Sequence, residues 1–204
     1  MNSKGKIERL KAYHEAGHAV VAQTLGLAMV YVTVLSTDDM TAASTLTRSA
    51  ASLARDADQA MQLSAHENDM KVCLAGPHAE ERYQPSKGMR IPNQWASDFE
   101  LAKSFAAKAV LIKHGRRAEI QIGEGSFEVS LDRHEHAEFV ELLDRISAET
   151  RALVAKLWPA ITRVAEELLR RRTLFENEVA ALIADRPLAA QIGRKGPQQR
   201  GLII

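Results

Sequence analysis

The chain has 204 residues, of which 46% are hydrophobic and 26% are charged, and its formal net charge is +1. This is an ordinary globular composition, and so small a net charge does not favour binding to nucleic acid or to an anionic membrane. The single cysteine, Cys73, excludes an internal disulfide and a cysteine-based zinc finger, and it fits a reducing compartment. No apolar run approaches the ~20 residues of a membrane span, and the first residues do not form a signal-peptide core. We therefore expect a cytoplasmic protein.

The length predicts one domain over residues 1–190, with a helical C-terminal part at residues 135–186. Residues 191–204 are polar and contain glycine and proline, which predicts a flexible tail. The predicted fold class is mainly α with small β hairpins.

The first predicted helix covers residues 6–25 and ends at Gly26. It carries the pattern His14-Glu15-x-x-His18, in which the two histidines lie one turn apart on the same face. Two neutral imidazoles suit Zn²⁺, and the carboxylate between them is placed to act as a general base on a zinc-activated water. The same face carries four apolar residues, so we expect the histidine pair to be buried: Ile7, Leu10, Val21 and Leu25.

The alternative is a helix whose two histidines are satisfied as core or surface groups. A shuffled chain of this composition gives roughly a 2% chance of one such motif. Two buried imidazoles need polar partners, however, and one shared metal ion would satisfy both. Gly17 costs about 1 kcal/mol against alanine in a helix interior, which indicates that another element packs closely there.

A strand at residues 29–35, a turn at 36–39 and a return strand at 43–48 predict a hairpin directly after this helix. The hairpin is either purely structural or, if the edge along Val30–Leu35 is open, a place where an extended peptide adds as a strand.

Residues 50–75 predict a helix, which Gly76-Pro77 should interrupt before a short helix at residues 78–83. Glu80 and Glu81 in that short helix are possible metal ligands or partners of ligands. The alternative, an interaction with the helix N-terminus and solvent, is favoured for Glu80 and more strongly for Glu81.

Residues 84–97 predict a loop, with Ser97 as the N-cap of a helix that runs to about His114 and stops at Gly115. By local pattern alone Asp98 caps that helix or compensates its dipole.

Residues 118–131 predict a second hairpin. His134-Glu135-His136 predicts the solvated start of a helix, because histidines two residues apart point to different faces. The helical pattern then continues to residue 171, divided by Pro159, and a last helix covers residues 176–184.

Four segments in order resemble the peptidase domain of the FtsH-type AAA zinc metalloproteases. Residues 12–22 are similar to the family's zinc-site helix, and residues 75–81 to its G-G-R-A-A-E-E segment. Residues 96–102 are similar to its A-S-N-D-[LI]-x-x-A stretch, and residues 164–174 to its A-E-x-L-L-x-x-x-T-L segment.

The resemblance implies the FtsH-like helical peptidase fold and Zn²⁺ held by His14, His18 and Asp98, with Glu15 as the catalytic base. His78 and Glu80 are the fallback ligands. The chain departs from the family in having no phosphate-binding G-x-x-x-x-G-K-[ST] sequence, AAA motor or membrane span, and in Pro77 and His78, where the family has Arg and Ala.

The function that the resemblance implies is a zinc metalloendopeptidase acting on unfolded proteins or peptides without its own ATPase. One alternative is a non-proteolytic interaction module that contains zinc. Another is a peptidase subunit that depends on a separate AAA motor partner, and the chain could also form a homo-oligomer.

Overall fold

The fold is described from a computed structural model, which covers residues 3–35, 44–47, 49–50, 54, 57–84, 92–116, 121–123 and 126–185. Among these residues there are six helices and five short strands, which confirms a mainly α chain with small β elements. The predicted turn at 36–39 and the predicted tail at 191–204 lie outside the described residues.

The elements are numbered in chain order. The helices are α1 (Ser3–Thr24), α2 (Gln59–Tyr83), α3 (Pro92–Lys113), α4 (Arg133–Lys156), α5 (Trp158–Arg171) and α6 (Glu176–Ile183). The strands are β1 (Met29–Thr33), β2 (Ser44–Thr47), β3 (Gln121–Gly123), β4 (Ser126–Glu128) and β5 (Thr173–Phe175).

Helix α1 is the central element of the molecule. It packs against α2 on one side and α5 on another, and it also contacts β1. Every residue from 12 to 22 is buried, so the middle of α1 is covered all round rather than on one face. Ile7 is the exception to the predicted buried face, since it lies near the helix start and is exposed. As predicted, Gly26 terminates α1: the helix ends at Thr24, and the φ of +72° at Gly26 favours glycine.

The larger sheet has the order β2-β1-β5 with antiparallel neighbours. The predicted β1–β2 hairpin is confirmed, but β1 is the middle strand: Val32 pairs with Thr45 on one side and with Leu174 on the other. This excludes the alternative in which a peptide adds along an open Val30–Leu35 edge and favours the purely structural hairpin. Strand β5 is only three residues long, and its position is reinforced by Thr33 Oγ1, which donates to the carbonyl oxygen of Arg172 at 3.1 Å.

Helix α2 runs without a break through Pro77, so the predicted interruption is wrong. It also begins later than predicted, after Asp58, whose side chain accepts a hydrogen bond from the Met61 N–H at 2.8 Å. A proline inside a helix removes one hydrogen bond and costs about 3 kcal/mol. Here residues 74–80 are all buried, so tertiary packing offsets that cost.

Helix α3 begins at Pro92, six residues before the predicted start at Asp98. Proline is well suited to the first turn of a helix, where its missing N–H is not needed. Asp98 consequently lies in the second turn of α3, and the prediction that it caps the helix or compensates its dipole is wrong. The predicted end is confirmed, because α3 stops at Lys113 and Gly115 has a φ of +67°.

The C-terminal helices follow the prediction closely. Helices α4 and α5 are separated at Leu157, just before Pro159, and α6 covers all but the last residue of the predicted final helix. The second hairpin is confirmed as β3 paired with β4. Helix α4 does begin at the His134-Glu135-His136 segment, but Glu135 is buried and bonds to Arg116 and to the Asp132 N–H.

Within the described segments, no helix combines enough length with enough apolar character to cross a membrane.

Candidate metal centre

His14 and His18 project from the buried middle of α1 toward one point. Their exposed fractions are 1% and 8%, and their Nε2 atoms lie 3.1 Å apart. The spacing of four residues produces this approach, since it returns to the same face after one turn. Glu15, the residue between them in the motif, is also buried.

Asp98 reaches the same point from α3. Its Oδ2 atom lies 2.9 Å from His14 Nε2 and 3.5 Å from His18 Nε2, and its side chain is 17% exposed. The three residues named from the motif and the family resemblance therefore come together, although α3 begins 68 residues after α1 ends (92 − 24).

Glycines bring α2 close to this face of α1. A Cβ atom on Gly76 would overlap the Nε2 atom of His18 and lie 2.8 Å from His14 Nε2. A Cβ atom on Gly17 would lie 2.6 Å from the carbonyl oxygen of Ala75. The close packing predicted at Gly17 is thus confirmed, and Gly76 leaves the space in which the two imidazole tips meet.

Hydrogen bonds on the far side of each ring determine where the imidazole protons lie. His14 Nδ1 is 3.2 Å from Glu80 Oε2, and His18 Nδ1 is 2.7 Å from the carbonyl oxygen of Val72. A carboxylate and a carbonyl oxygen can only accept, so both Nδ1 atoms carry the proton in the neutral rings. Both Nε2 atoms therefore present lone pairs to Asp98 Oδ2.

When both rings are neutral, as metal binding requires, this arrangement leaves three acceptors facing one another. Asp98 Oδ2 is buried and, within the described part of the chain, has no hydrogen-bond partner despite its closeness to the two rings. The three atoms form a triangle with sides of 2.9, 3.1 and 3.5 Å. Ligands of a tetrahedral zinc ion with bonds of about 2.0–2.1 Å are separated by roughly 3.3 Å. The donor set and its spacing thus fit a zinc ion held by two histidines and one carboxylate.

The pKa values of the three residues also indicate that the site attracts a cation. Burial alone would lower the pKa of His14, but the Asp98 and Glu80 carboxylates outweigh burial and raise it to about 10. The pKa of His18 is also raised, because Asp98 outweighs the effect of burial. Burial would raise the pKa of Asp98, yet the two imidazoles hold it well below its usual value. Glu15 contributes to the raised pKa of both histidines, so the centre as a whole favours a cation.

Glu80 supports the site through a hydrogen bond to the His14 ring, a role that its position in the sequence did not favour. It is 2% exposed, lies in the C-terminal third of α2, and accepts hydrogen bonds from His14 and from the Trp95 indole N–H at 2.8 Å. The prediction that it faces solvent at a helix N-terminus is wrong. It is also not a fallback metal ligand, because it contacts the opposite edge of the His14 ring from Asp98.

The other two residues considered near this site lie apart from it. His78, the second fallback ligand, has its Nε2 atom 3.1 Å from Ser147 Oγ on α4 and is not part of the cluster. Glu81 is half exposed and lies 3.5 Å from both His78 Nδ1 and an Arg151 nitrogen, which confirms its predicted exposure to solvent. The helix N-terminus predicted beside it does not exist, because α2 continues to Tyr83.

Two contributors to the site were missed from the sequence. Trp95 was predicted to lie in a loop, and nothing in its surroundings indicated the hydrogen bond to Glu80. Gly76 was interpreted as a helix break, although a glycine inside an apolar helical pattern is also a signal for close approach of another element.

No protein-family model matches the chain, and no curated protein has significant sequence similarity to it.

Proposed function

We propose that this chain is a zinc-dependent metalloendopeptidase of the FtsH-like kind, with His14, His18 and Asp98 as the zinc ligands. The observation that carries the proposal is the buried convergence of three acceptor atoms, two of them fixed by hydrogen bonds on the far side of their rings. Two histidines and one carboxylate leave a coordination position open for water, as catalytic zinc requires.

The proposed role of Glu15 follows from its place in the H-E-x-x-H motif, and that of Glu80 from its contact with His14. When bound, zinc would lower the pKa of a water molecule to about 7 and polarise the scissile carbonyl. Glu15 takes the proton from the attacking water and delivers it to the leaving amine. Glu80 keeps the His14 ring in the orientation and tautomer that present Nε2 to the centre.

The proposed substrates are unfolded proteins or peptides. The 204 residues contain no G-x-x-x-x-G-K-[ST] sequence, so threading of folded substrates would depend on an AAA motor that these residues do not supply. Cys73 is a free thiol, which suits the reducing conditions of the cytoplasm.

The proposal is tested by digestion of an unfolded, fluorescently labelled protein with Zn²⁺ and without ATP. Wild type is compared with Glu15→Gln, and Glu81→Gln serves as a control on a half-exposed carboxylate outside the centre. General acid–base catalysis contributes about 10²–10⁴-fold, so Glu15→Gln should lose at least ~100-fold in rate while Glu81→Gln cleaves normally. Full activity of Glu15→Gln would overturn the assignment of the base.

A second candidate function is a non-proteolytic interaction module with a structural zinc. The burial of His14 and Glu15 favours it, because a peptide substrate has little access to side chains that are this deeply enclosed. In the same assay this alternative predicts no cleavage by any variant, together with one tightly bound zinc ion in both wild type and Glu15→Gln. A motor-dependent peptidase would instead cleave only after an AAA ATPase and ATP are added.

A further inference from the structure

A second group of metal-ligating side chains lies where the end of α3 meets the start of α4. It consists of His114, His134 and Glu138, whose ligating atoms all lie within 4.8 Å of one another. His134 belongs to the His134-Glu135-His136 segment, which has no part in the centre described above. We propose that these three residues form a second, solvent-accessible binding site for a borderline transition-metal cation such as Zn²⁺.

The distances fit one ion. Glu138 Oε2 lies 3.2 Å from His114 Nε2, and Glu138 Oε1 lies 3.2 Å from His134 Nε2. Each histidine thus contacts a different oxygen of the same carboxylate, at close to the roughly 3.3 Å between ligands of a tetrahedral zinc ion, so Glu138 would bind the ion through one or both oxygens. His134 and Glu138 are four residues apart on α4, so they share a face, and His114 approaches from just beyond the end of α3. The His114 and His134 rings meet edge to face, with centroids 6.0 Å apart.

The backbone segments that supply these ligands are already held in place. Arg116 donates two hydrogen bonds to Glu135, which is buried, and a third to the carbonyl oxygen of Ser130. The side chain of Asp132 caps the first turn of α4, the turn that carries His134. Because this backbone is already ordered, metal binding would cost little conformational entropy, which favours binding.

The ligand type of this cluster indicates which ion it would bind, and its solvent exposure indicates how tightly. The His134 side chain is 76% exposed and that of His114 is 32% exposed, so an ion could reach both imidazoles from solvent and water could complete its coordination. Imidazole nitrogens favour Zn²⁺, Cu²⁺ or Ni²⁺ over Mg²⁺ or Ca²⁺. Lys113 Nζ lies 2.9 Å from Glu138 Oε2 and competes with the ion, but its side chain is exposed and can turn into solvent. The site should consequently be weaker than the buried centre.

A zinc titration with a matched histidine control tests this proposal. Wild type, His134→Ala and His136→Ala are titrated with Zn²⁺, and the number of ions bound per chain is counted by equilibrium dialysis. His136 is exposed on the same turn of α4 and is not part of the cluster, so its replacement changes the surface histidine count equally. The substituted positions are exposed, so both variants should fold.

We expect His134→Ala to bind one zinc ion fewer than His136→Ala at the same free zinc concentration. Loss of one of three ligands should weaken this site by more than the ~10-fold that losing an outer-shell partner costs. The imidazole NMR signals of His114 should shift with zinc in His136→Ala and not in His134→Ala. Equal binding by the two variants would overturn the proposal. Failure of the buried centre would instead lower the zinc count of both variants together and leave their difference unchanged.

Discussion

At the scale of single residues, the centre depends on side chains that orient the ligands as much as on the ligands themselves. Glu80 and the Val72 carbonyl oxygen accept hydrogen bonds from the Nδ1 atoms of His14 and His18, respectively. Trp95 in turn donates a hydrogen bond to Glu80. Partners of this kind fix the ring orientation and raise the basicity of a metal-binding imidazole. The sequence motif contains none of them, since each comes from another helix.

Replacing Glu80 with Gln should weaken zinc binding by about 10–100-fold, because an amide is a poorer acceptor for the His14 Nδ1–H. Glu81→Gln is the matched control, since Glu81 is the next residue on the same helix and is half exposed. Competition with a chelating dye measures both affinities. Equal zinc affinities for the two variants would show that Glu80 does not support His14.

Two glycine substitutions separate the metal site from the helix packing around it. Gly76→Ala should greatly weaken zinc binding, because the new Cβ would overlap His18 Nε2. Gly17→Ala should instead lower the free energy of unfolding, because its Cβ would press against the Ala75 carbonyl oxygen and the Ala79 side chain. Zinc bound per folded molecule and the midpoint of urea unfolding distinguish the two effects. Normal zinc affinity in Gly76→Ala would contradict the geometry of the centre.

At the scale of elements, the sequence correctly predicted the helix and the helix ends that depend on interactions between neighbouring residues. Helix α1, the ends of α1 and α3 at Gly26 and Gly115, and the division before Pro159 all follow from propensity and capping. The errors lie where tertiary packing prevails. Helix α2 passes through Pro77 because that turn is buried between other elements, and β5 exists only by pairing with β1. No local signal could have placed either.

Helix α2 begins with a cap whose contribution can be measured. Asp58→Ala removes the acceptor of the Met61 N–H and should lower the free energy of unfolding by about 1 kcal/mol. Asp58→Asn retains a side-chain oxygen and should change it by much less. Urea denaturation of both variants provides the comparison. The idea fails if the alanine and asparagine variants are equally stable.

At the scale of the whole molecule, the hydrophobic core and the candidate metal centre are built around the same helix, α1. The buried middle of α1 supplies both apolar core residues and two proposed ligands, while α2 and α3 enclose it. The pair His14 and His18 was evident from the sequence because its spacing is local. Asp98 required the family resemblance, since its own surroundings suggested only a helix terminus, and the fold then brought it to the pair.

The stability of the metal-free protein should fall as the pH rises above about 6.5. The pKa of His14 is about 10 in the folded chain and 6.5 as its ordinary value, so the folded state binds the proton more tightly. This contribution is fully present below the ordinary pKa and is lost as the pH rises through about 10. Urea unfolding with a chelator, for wild type and His14→Ala from pH 6 to 9, measures it. The stability difference between the two should shrink with rising pH, and a constant difference would contradict the raised pKa.

The most direct test is zinc retention by a chain in which Asp98 is replaced by Ala. Both this variant and its parent carry His134→Ala, so that the second site does not contribute, and both are dialysed against a low free zinc concentration set by a chelator. The account predicts one zinc ion per folded parent chain and none in the Asp98→Ala chain. Zinc held by the Asp98→Ala chain with unchanged affinity would contradict the centre formed by His14, His18 and Asp98.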